Sequence, residues 1–250
     1  MFNLLKARIH HGYQAIPDPL NAAIHPSFPG LPTILRACKE DFCAAGSFCP
    51  TGAIGDNSLD LGKCVFCGEC TRRFPATFAF NPNFRMASSR RESLIIRWDN
   101  QSNTCTAPAV EVNAALKKLC IRSFALRNVS AGGCNACELE LGASSNVNFD
   151  MGRYGIEVVA SPRHADALIL TGPVSKNMEQ AFVKTWEAIP DPKVLILCGA
   201  CAISGGSFVN SDAISRDWLQ TMQPALYIPG CPAHPLSIIH GLMSLLGRVK

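Results

Sequence analysis

Cysteine spacing constrains this chain more than any other feature. Thirteen cysteines occur in 250 residues, and three groups show a spacing of two intervening residues: Cys64–Cys67–Cys70, Cys134–Cys137 and Cys198–Cys201. The N-terminal sequence MFNLLKARIHH lacks the long apolar core of an export signal, so we expect reduced thiols in the cytoplasm. An odd number of cysteines with this spacing favours metal ligation over disulfide bonding.

Composition excludes two further classes of protein. A net charge of +4 without a dense Lys/Arg stripe does not favour nucleic-acid binding. No apolar run approaches the roughly 20 residues that a membrane-spanning helix needs. A hydrophobic fraction of 48% with 17% charged residues indicates a globular protein that has buried interfaces.

The segment CVFCGECTRRFP, residues 64–75, repeats cysteine at every third position ahead of a proline. A bacterial ferredoxin run would place a fourth cysteine directly before that proline, but Phe74 stands there. In two-cluster ferredoxins the fourth cysteine of each run serves the other run's cluster, so the missing ligand is expected upstream. Cys49, in FCPTG, precedes a proline. The first predicted [4Fe-4S] site therefore comprises Cys49, Cys64, Cys67 and Cys70.

The second ligand set of such a ferredoxin has lost every cysteine. Its four positions hold Lys39, Phe42, Ala45 and Phe74. We therefore expect one intact site beside one vacated site, which Phe42 and Phe74 fill as ordinary core. A structural zinc site is the alternative, although zinc ribbons usually offer two separated Cys-x2-Cys pairs.

Cysteine content and hydrophobic periodicity divide the chain into three parts. Residues 1–88 contain six cysteines and little periodicity, which predicts a small ferredoxin-like α+β domain. Residues 89–120 are expected to be a linker with some structure of its own. Residues 121–250 alternate short apolar runs with amphipathic segments, which predicts an α/β domain with a mostly parallel, flavodoxin-like sheet.

Four cysteines follow the predicted strands of the C-terminal part. Cys134 and Cys137 follow the first strand, Cys201 follows KVLIL and Cys231 follows ALYIP. Because the carboxyl ends of parallel strands meet at one edge of a sheet, these loops should bring four thiolates together. Glycines beside the ligands allow the backbone to approach a bulky cluster. We expect a second [4Fe-4S] site here.

The motifs GGCNACELE, SPRHAD, CGAC…SGG and PGCP resemble the small subunit of membrane-bound, energy-converting group 4 [NiFe]-hydrogenases. That group is related to the cluster-bearing subunit next to the quinone site of complex I. Complex I homologues carry an adjacent Cys-Cys pair at the first motif, whereas this chain has Cys134-x2-Cys137 and so sides with hydrogenases. Residues 1–85 resemble the ferredoxin-like subunit of formate hydrogenlyase and hydrogenase-4, with one cluster kept instead of two.

The resemblance implies an electron-relay subunit at the cytoplasmic face of the membrane, with no catalytic residue of its own. Its implied partners are a nickel-bearing large subunit, antiporter-like membrane-arm subunits, and soluble ferredoxin or formate dehydrogenase as electron donor. The cluster of Cys134, Cys137, Cys201 and Cys231 would be proximal to the nickel–iron centre. A complex I-like module that makes no hydrogen is the alternative.

Several neighbouring residues have two interpretations each. Glu138 could relay protons or tune the cluster, or it could compensate a helix dipole. Arg163 and His164 resemble residues near the quinone site of complex I, or they anchor a loop. His234 could lie close to the ligands of the second cluster, or it could lie at the surface. Cys198 is expected to be buried and inert.

Overall fold

The structure, a computed structural model, describes residues 2–99 and 104–249. The N-terminal part begins with an exposed helix and continues as a small cysteine-bearing region. Its elements are α1 (Phe2–His11), β1 (Leu31–Ile34), α2 (Lys39–Phe48), β2 (Ile54–Gly55), β3 (Ser58–Asp60), α3 (Glu69–Arg73), β4 (Phe78–Asn81), β5 (Ile95–Asp99) and β6 (Thr104–Cys105).

The small region holds two antiparallel sheets. β1 pairs with β4, so the strands that flank both cysteine-bearing helices lie side by side. The second sheet has the order β2-β3-β5-β6. The segment predicted as a linker therefore contributes β5, which pairs with β3 through Leu59 opposite Ile96.

The C-terminal part alternates strands and helices. Its elements are α4 (Ala114–Leu119), β7 (Phe124–Ser130), α5 (Ala136–Ala143), β8 (Ile156–Val158), β9 (Ala167–Thr171), α6 (Lys176–Ala188), β10 (Val194–Cys198), α7 (Ala200–Ser204), β11 (Pro224–Ile228) and α8 (Pro235–Leu245). Short 3-10 turns occupy Met151–Tyr154, Pro162–His164, Gly206–Phe208 and Asp217–Gln220.

A five-stranded parallel sheet of order β11-β10-β9-β7-β8 forms the centre of this part. The third strand pairs beside the first, so strand order reverses between β7 and β9, as in flavodoxin-like folds. The predicted α/β class is therefore confirmed. Helix α4 begins after Asn113, whose side chain caps it by accepting the Leu116 amide at 3.1 Å.

The two faces of the parallel sheet are covered by different parts of the chain. Ile169, Ile196 and Ile228 face a core that α8 completes with nine buried residues. Leu168 and Leu197 face the opposite core, which also contains Phe78 and Leu94 from the small region. One hydrophobic core thus joins the small region to the sheet.

Polar contacts reinforce this junction. Nη1 and Nη2 of Arg91 donate to the two carboxylate oxygens of Asp60, at 2.9 and 2.6 Å. Asp60 also accepts a hydrogen bond from the amide of Gly62. Ser88 and Tyr227 exchange backbone hydrogen bonds. Such a bidentate pair adds geometric specificity because the planar guanidinium matches the carboxylate. Across the described ranges, no helix is both long and apolar enough to span a bilayer.

Candidate metal centres

The first group of cysteines surrounds an apolar pocket in the small region. Cys49 follows the end of α2, Cys64 and Cys67 lie in the loop before α3, and Cys70 lies within α3. All four line one pocket together with the apolar side chains of Ala53, Ile54, Leu59, Val65, Phe74 and Phe80. The ligand set predicted from the displaced ferredoxin motif is thus brought together in space.

Electrostatics show how closely these thiols approach each other. Burial, together with charge on Cys70, Cys49 and Cys67, raises the pKa of Cys64 to about 12. Burial likewise raises the pKa of Cys70. Two backbone amides point at ligand sulfurs: Ala53 N donates to Cys49 Sγ at 3.2 Å and Phe66 N to Cys64 Sγ at 3.4 Å. A cation that replaces the protons would relieve this repulsion.

Two positions of the vacated ligand set are buried core, whereas Lys39 is exposed and Phe74 is half-buried and lines the pocket of the first cysteine group. Phe42 and Ala45 are buried, and Phe42 packs edge-to-face on Phe78 with ring centroids 5.0 Å apart. Phe74 packs against the same core. Aromatic carbon now fills the space around these positions.

The second group lies at the carboxyl edge of the parallel sheet. Cys134 and Cys137 follow β7, with Cys137 inside α5; Cys201 follows β10 inside α7; and Cys231 follows β11. Burial, together with the charges of Cys231, Cys137 and Cys134, raises the pKa of Cys201 to about 11. The four thiols therefore lie within electrostatic range of each other at one edge of the sheet. Cys134 and Cys231 are exposed, so the group opens to the surface.

Glycines form the wall behind this second group. A Cβ on Gly199, where φ is +92°, would lie 2.5 Å from Cys137 Sγ. A Cβ on Gly206, where φ is +55°, would lie 2.8 Å from Cys201 Sγ. Contacts this short are not tolerated, and both φ values favour glycine. The backbone thus approaches the ligand sulfurs directly, as the sequence suggested.

Cys198 is buried as predicted, but it contacts one of the predicted ligands. A hydrogen bond with Cys137, together with complete burial, raises the pKa of Cys198 well above its ordinary value. The same bond lowers the pKa of Cys137. Strand alternation alone did not reveal that Cys198 lies next to Cys137.

Glu138 follows Cys137 and is held by the neighbouring strand. The hydroxyl of Thr171, at the end of β9, donates to Glu138 Oε1 at 2.7 Å, and Asn128 donates to that hydroxyl at 3.2 Å. Glu138 also lies close enough for its charge to raise the pKa of Cys201. Its carboxylate is thus fixed near the second group.

His234 is not a surface residue. Its Nδ1 accepts the Leu236 amide at 3.2 Å and so caps α8, while its ring packs on Phe28 with centroids 4.4 Å apart. Burial lowers the pKa of His234 to about 4, so the ring is neutral at physiological pH. His234 lines a groove together with Cys231 of the second group and Phe66 from the loop that carries Cys64 and Cys67.

Two predicted neighbours lie elsewhere. Arg163 and His164 are exposed in the turn Pro162–His164, just before the amino end of β9. The cysteines follow the carboxyl ends of the strands, so Arg163 and His164 lie toward the opposite edge of the sheet. Their placement favours the loop-anchor interpretation over a role beside the second group.

Ligand geometry bears on the kind of metal group that would fit. Within residues 2–99 and 104–249, no three His, Cys, Asp or Glu side chains are close enough to share one metal ion. A tetrahedral zinc site draws four ligands to about 2.3 Å from one ion, whereas a cubane binds each thiolate through a different iron. The apolar pocket of the first group and the glycine wall of the second leave room for a bulky iron–sulfur cluster.

Comparison with known proteins matches the C-terminal part. The family model for "NADH ubiquinone oxidoreductase, 20 Kd subunit" matches residues 134–245. Among curated relatives, formate hydrogenlyase subunit 7 of Escherichia coli (strain K12) is 40% identical over 139 residues, or 56% of this chain and 54% of the relative. A match to the solved structure of an archaeal membrane-bound sulfane sulfur reductase covers 53% of this chain and 73% of that chain, at 25% identity with a TM-score of 0.46.

Two further relatives belong to other complexes. Subunit 6 of the Thermus thermophilus NADH-quinone oxidoreductase is 41% identical over 119 residues, covering 47% of this chain and 65% of the relative. The probable membrane-bound hydrogenase subunit mbhJ of Pyrococcus furiosus is 35% identical over 136 residues, covering 54% of this chain and 81% of the relative. The chain thus spans little more than half of the first relative and under two thirds of the Thermus subunit. All three names denote subunits of oxidoreductases, and with most of mbhJ covered, the chain belongs to the NADH ubiquinone oxidoreductase 20 kDa subunit family.

Proposed function

We propose that this chain is an iron–sulfur electron-relay subunit of a membrane-associated complex of the [NiFe]-hydrogenase type. One observation carries the proposal. The family match at residues 134–245 contains all four cysteines of the second group, and those cysteines lie at the sheet edge against a glycine wall. A formate hydrogenlyase subunit and a probable membrane-bound hydrogenase subunit match this chain over 139 and 136 residues.

The proposed cofactors are two [4Fe-4S] clusters. Cys134, Cys137, Cys201 and Cys231 would hold the one proximal to the partner's nickel–iron centre. Cys49, Cys64, Cys67 and Cys70 would hold the ferredoxin-type cluster. They lie outside the matched segment, and their assignment is supported by the apolar pocket that they share and by the backbone amides that donate to the sulfurs of Cys49 and Cys64. When bound, clusters of this kind accept and return single electrons at potentials set by their surroundings.

The residues of this chain would supply the surroundings. Thiolates hold iron, the apolar wall of the first pocket excludes water, and the amides of Ala53 and Phe66 donate to ligand sulfurs. Hydrogen bonds of this kind tune the potential of a cluster. Glu138, held by Thr171, adds negative charge beside the second group. No acid–base catalysis is proposed for this chain.

The proposed partners follow the same assignment. A large subunit with the nickel–iron centre would cover the exposed edge at Cys134 and Cys231, and membrane-arm subunits would anchor the complex at the cytoplasmic face. Soluble ferredoxin or formate dehydrogenase would deliver electrons to the first cluster. The proposed division is a ferredoxin-like domain at 1–88, a linking segment at 89–120 and a hydrogenase-type domain at 121–250.

A complex I-like module without hydrogen chemistry is the second candidate. Identity of 41% with an NADH-quinone oxidoreductase subunit supports it. The Cys134-x2-Cys137 spacing, which resembles hydrogenases and not the adjacent pair of complex I homologues, ranks it below the first candidate.

The test is anaerobic purification of the tagged chain from its host in mild detergent, with its partners attached. We expect a brown complex with roughly eight irons and eight sulfides per chain, a large subunit with nickel, and hydrogen evolution from reduced ferredoxin. Zinc in place of iron would contradict the cofactor assignment. A brown complex without nickel that reduces a quinone would favour the second candidate.

A further inference from the structure

Arg216 is a partly buried cation that donates hydrogen bonds to the helix carrying Cys201. Its Nη1 donates to the carbonyls of Ala202 at 2.8 Å and Cys201 at 3.3 Å, and its Nη2 donates to that of Ile203 at 2.7 Å. Its guanidinium also lies 5.3 Å from the ring centroid of Trp218. The five-residue helix α7 is therefore held at its carboxyl end by one side chain.

Among the residues that the structure describes, no carboxylate lies within 4 Å of this charge. Across the described ranges the ion pairs within 4 Å involve Arg36, Arg72, Arg73, Arg90 and Arg91, and Arg216 is in none of them. The comparison with Arg91 is informative, because that arginine, also partly buried, has a bidentate partner in Asp60. A desolvated charge without a counter-charge is costly, so the lack of a carboxylate at Arg216 calls for another negative group.

The second cysteine group supplies that negative charge. Arg216 Nη1 lies 3.3 Å from the carbonyl of Cys201, so the guanidinium is held next to that residue. Burial and the positive charge of Arg91 together lower the pKa of Arg216 to about 10, and negative charge on Cys201 opposes them. Arg216 thus stays charged at neutral pH, and its favourable electrostatic partner is a predicted iron ligand. Four thiolates around a cluster carry net negative charge, which increases by one when an electron arrives.

We propose that Arg216 is the counter-charge of the iron–sulfur group at Cys134, Cys137, Cys201 and Cys231, where it positions Cys201 and favours the reduced state. This inference depends on the proposed function, since it requires a cluster at the second group. Arg216 is a positioning residue and not a ligand. Its positive charge would act on the second cluster through space, from the far side of the α7 backbone to which it donates hydrogen bonds.

The experiment measures the midpoint potentials of both clusters by EPR-monitored redox titration of the purified complex. Arg216→Gln removes the charge but keeps an amide donor for the α7 carbonyls. Loss of one positive charge should disfavour reduction of the second cluster by on the order of tenfold, which is ~59 mV towards lower potential for one electron. The cluster at Cys49, Cys64, Cys67 and Cys70 should keep its potential, and Arg216→Lys should stay near the wild type.

Lys193 offers a matched control. Its Nζ donates to the carbonyls of Trp186 and Ile189 at 2.9 and 3.0 Å, so it also holds the carboxyl end of a helix. It precedes β10 and therefore lies at the edge of the sheet opposite the cysteines. Lys193→Gln should weaken the fold without changing either potential.

The outcomes separate the two levels of the argument. A wild-type complex without iron at the second group would overturn both this inference and the proposed function. A loaded Arg216→Gln complex with unchanged potential would overturn the inference alone. If Arg216→Gln and Arg216→Met both fail to load the cluster while Arg216→Lys loads it, charge is required and the inference stands. Loss of the cluster in all three variants would assign Arg216 a purely structural role and overturn it.

Discussion

The two cysteine groups have the same donor set but are built in different ways. The first draws Cys64, Cys67 and Cys70 from one short run and needs only Cys49 from the preceding helix, and apolar side chains line its pocket. The second draws its four thiols from loops after β7, β10 and β11, and glycine backbone forms its wall. Local sequence specifies the first group, whereas the register of a whole sheet specifies the second.

Because of this difference, the two groups should respond differently to substitution of the residues around them. Side chains can be exchanged in an apolar pocket with limited cost if volume is kept, but a glycine wall tolerates no added atom. The second group also has charged neighbours, Glu138 and Arg216, while its edge at Cys134 and Cys231 is exposed. We therefore expect the first group to be robust and the second to depend on backbone geometry and on a covering partner.

Ligand replacement should have the largest effect and should show that the groups are independent. Cys67→Ser should remove the ferredoxin-type cluster and about half of the iron, and Cys201→Ser should remove the other half. EPR spin counts with iron and sulfide analysis measure this. If either substitution abolished both signals, the division of the cysteines into these two groups would be wrong.

Adding a methyl group to the glycine wall should have the next largest effect on the iron content. Gly199→Ala would place Cβ 2.5 Å from Cys137 Sγ at a φ of +92°, so the second cluster should fail to assemble while the first survives. Gly52→Ala is the matched control beside the first group, because it also has positive φ (+59°) but an open Cβ position. That control should cost only about 1 kcal/mol of backbone strain and keep all the iron; equal iron loss in both variants would refute the distinction.

The vacated ligand site gives a test of packing without metal. Phe42 is 3% exposed and packs on Phe78, so Phe42→Ala should reduce the free energy of unfolding by about 3–5 kcal/mol. Phe48, on the same helix but 50% exposed, should cost about 1 kcal/mol when changed to alanine. Denaturant unfolding of the apo-protein measures both, and similar losses would mean that Phe42 does not belong to the core.

The smallest of these expected effects is the loss of folding stability at acid pH that His234 causes. The folded-state pKa of His234, about 4, lies below its ordinary 6.5 because the ring is buried. The folded protein therefore binds fewer protons, so His234 contributes stability that is complete above pH 6.5 and is lost as the pH falls towards 4. After allowance for solvent screening this is about 1–2 kcal/mol.

His234→Asn isolates that contribution, because asparagine can still cap α8. The variant should lose less stability than the wild type between pH 6.5 and 4 in thermal unfolding of the apo-protein. His240, whose pKa burial also lowers to about 4, should account for sensitivity that persists. Identical acid profiles for variant and wild type would show that His234 is accessible to protons in the folded state.

Much of this structure was predictable because the patterns are local. Apolar runs marked the five parallel strands, and the displaced ferredoxin motif identified Cys49 as a companion of Cys64. Pairing between β3 and β5 was not predictable, since nothing near Leu59 in the sequence indicates Ile96 as its partner. Arg216 was missed for the same reason: fourteen residues of chain separate it from the Ala202 carbonyl that it contacts, and an isolated arginine in a polar loop gives no signal.

The hydrophobic core shared by the small region and the parallel sheet has a consequence for assembly. Where two such units occur on separate chains, their association depends on concentration and can be incomplete. Here Phe78 and Leu94 pack in the same core as Leu168, so the tether makes the encounter intramolecular and raises the effective concentration of each unit for the other. The stoichiometry of the two cysteine-bearing units is thereby fixed at one to one, whatever the expression level of any partner.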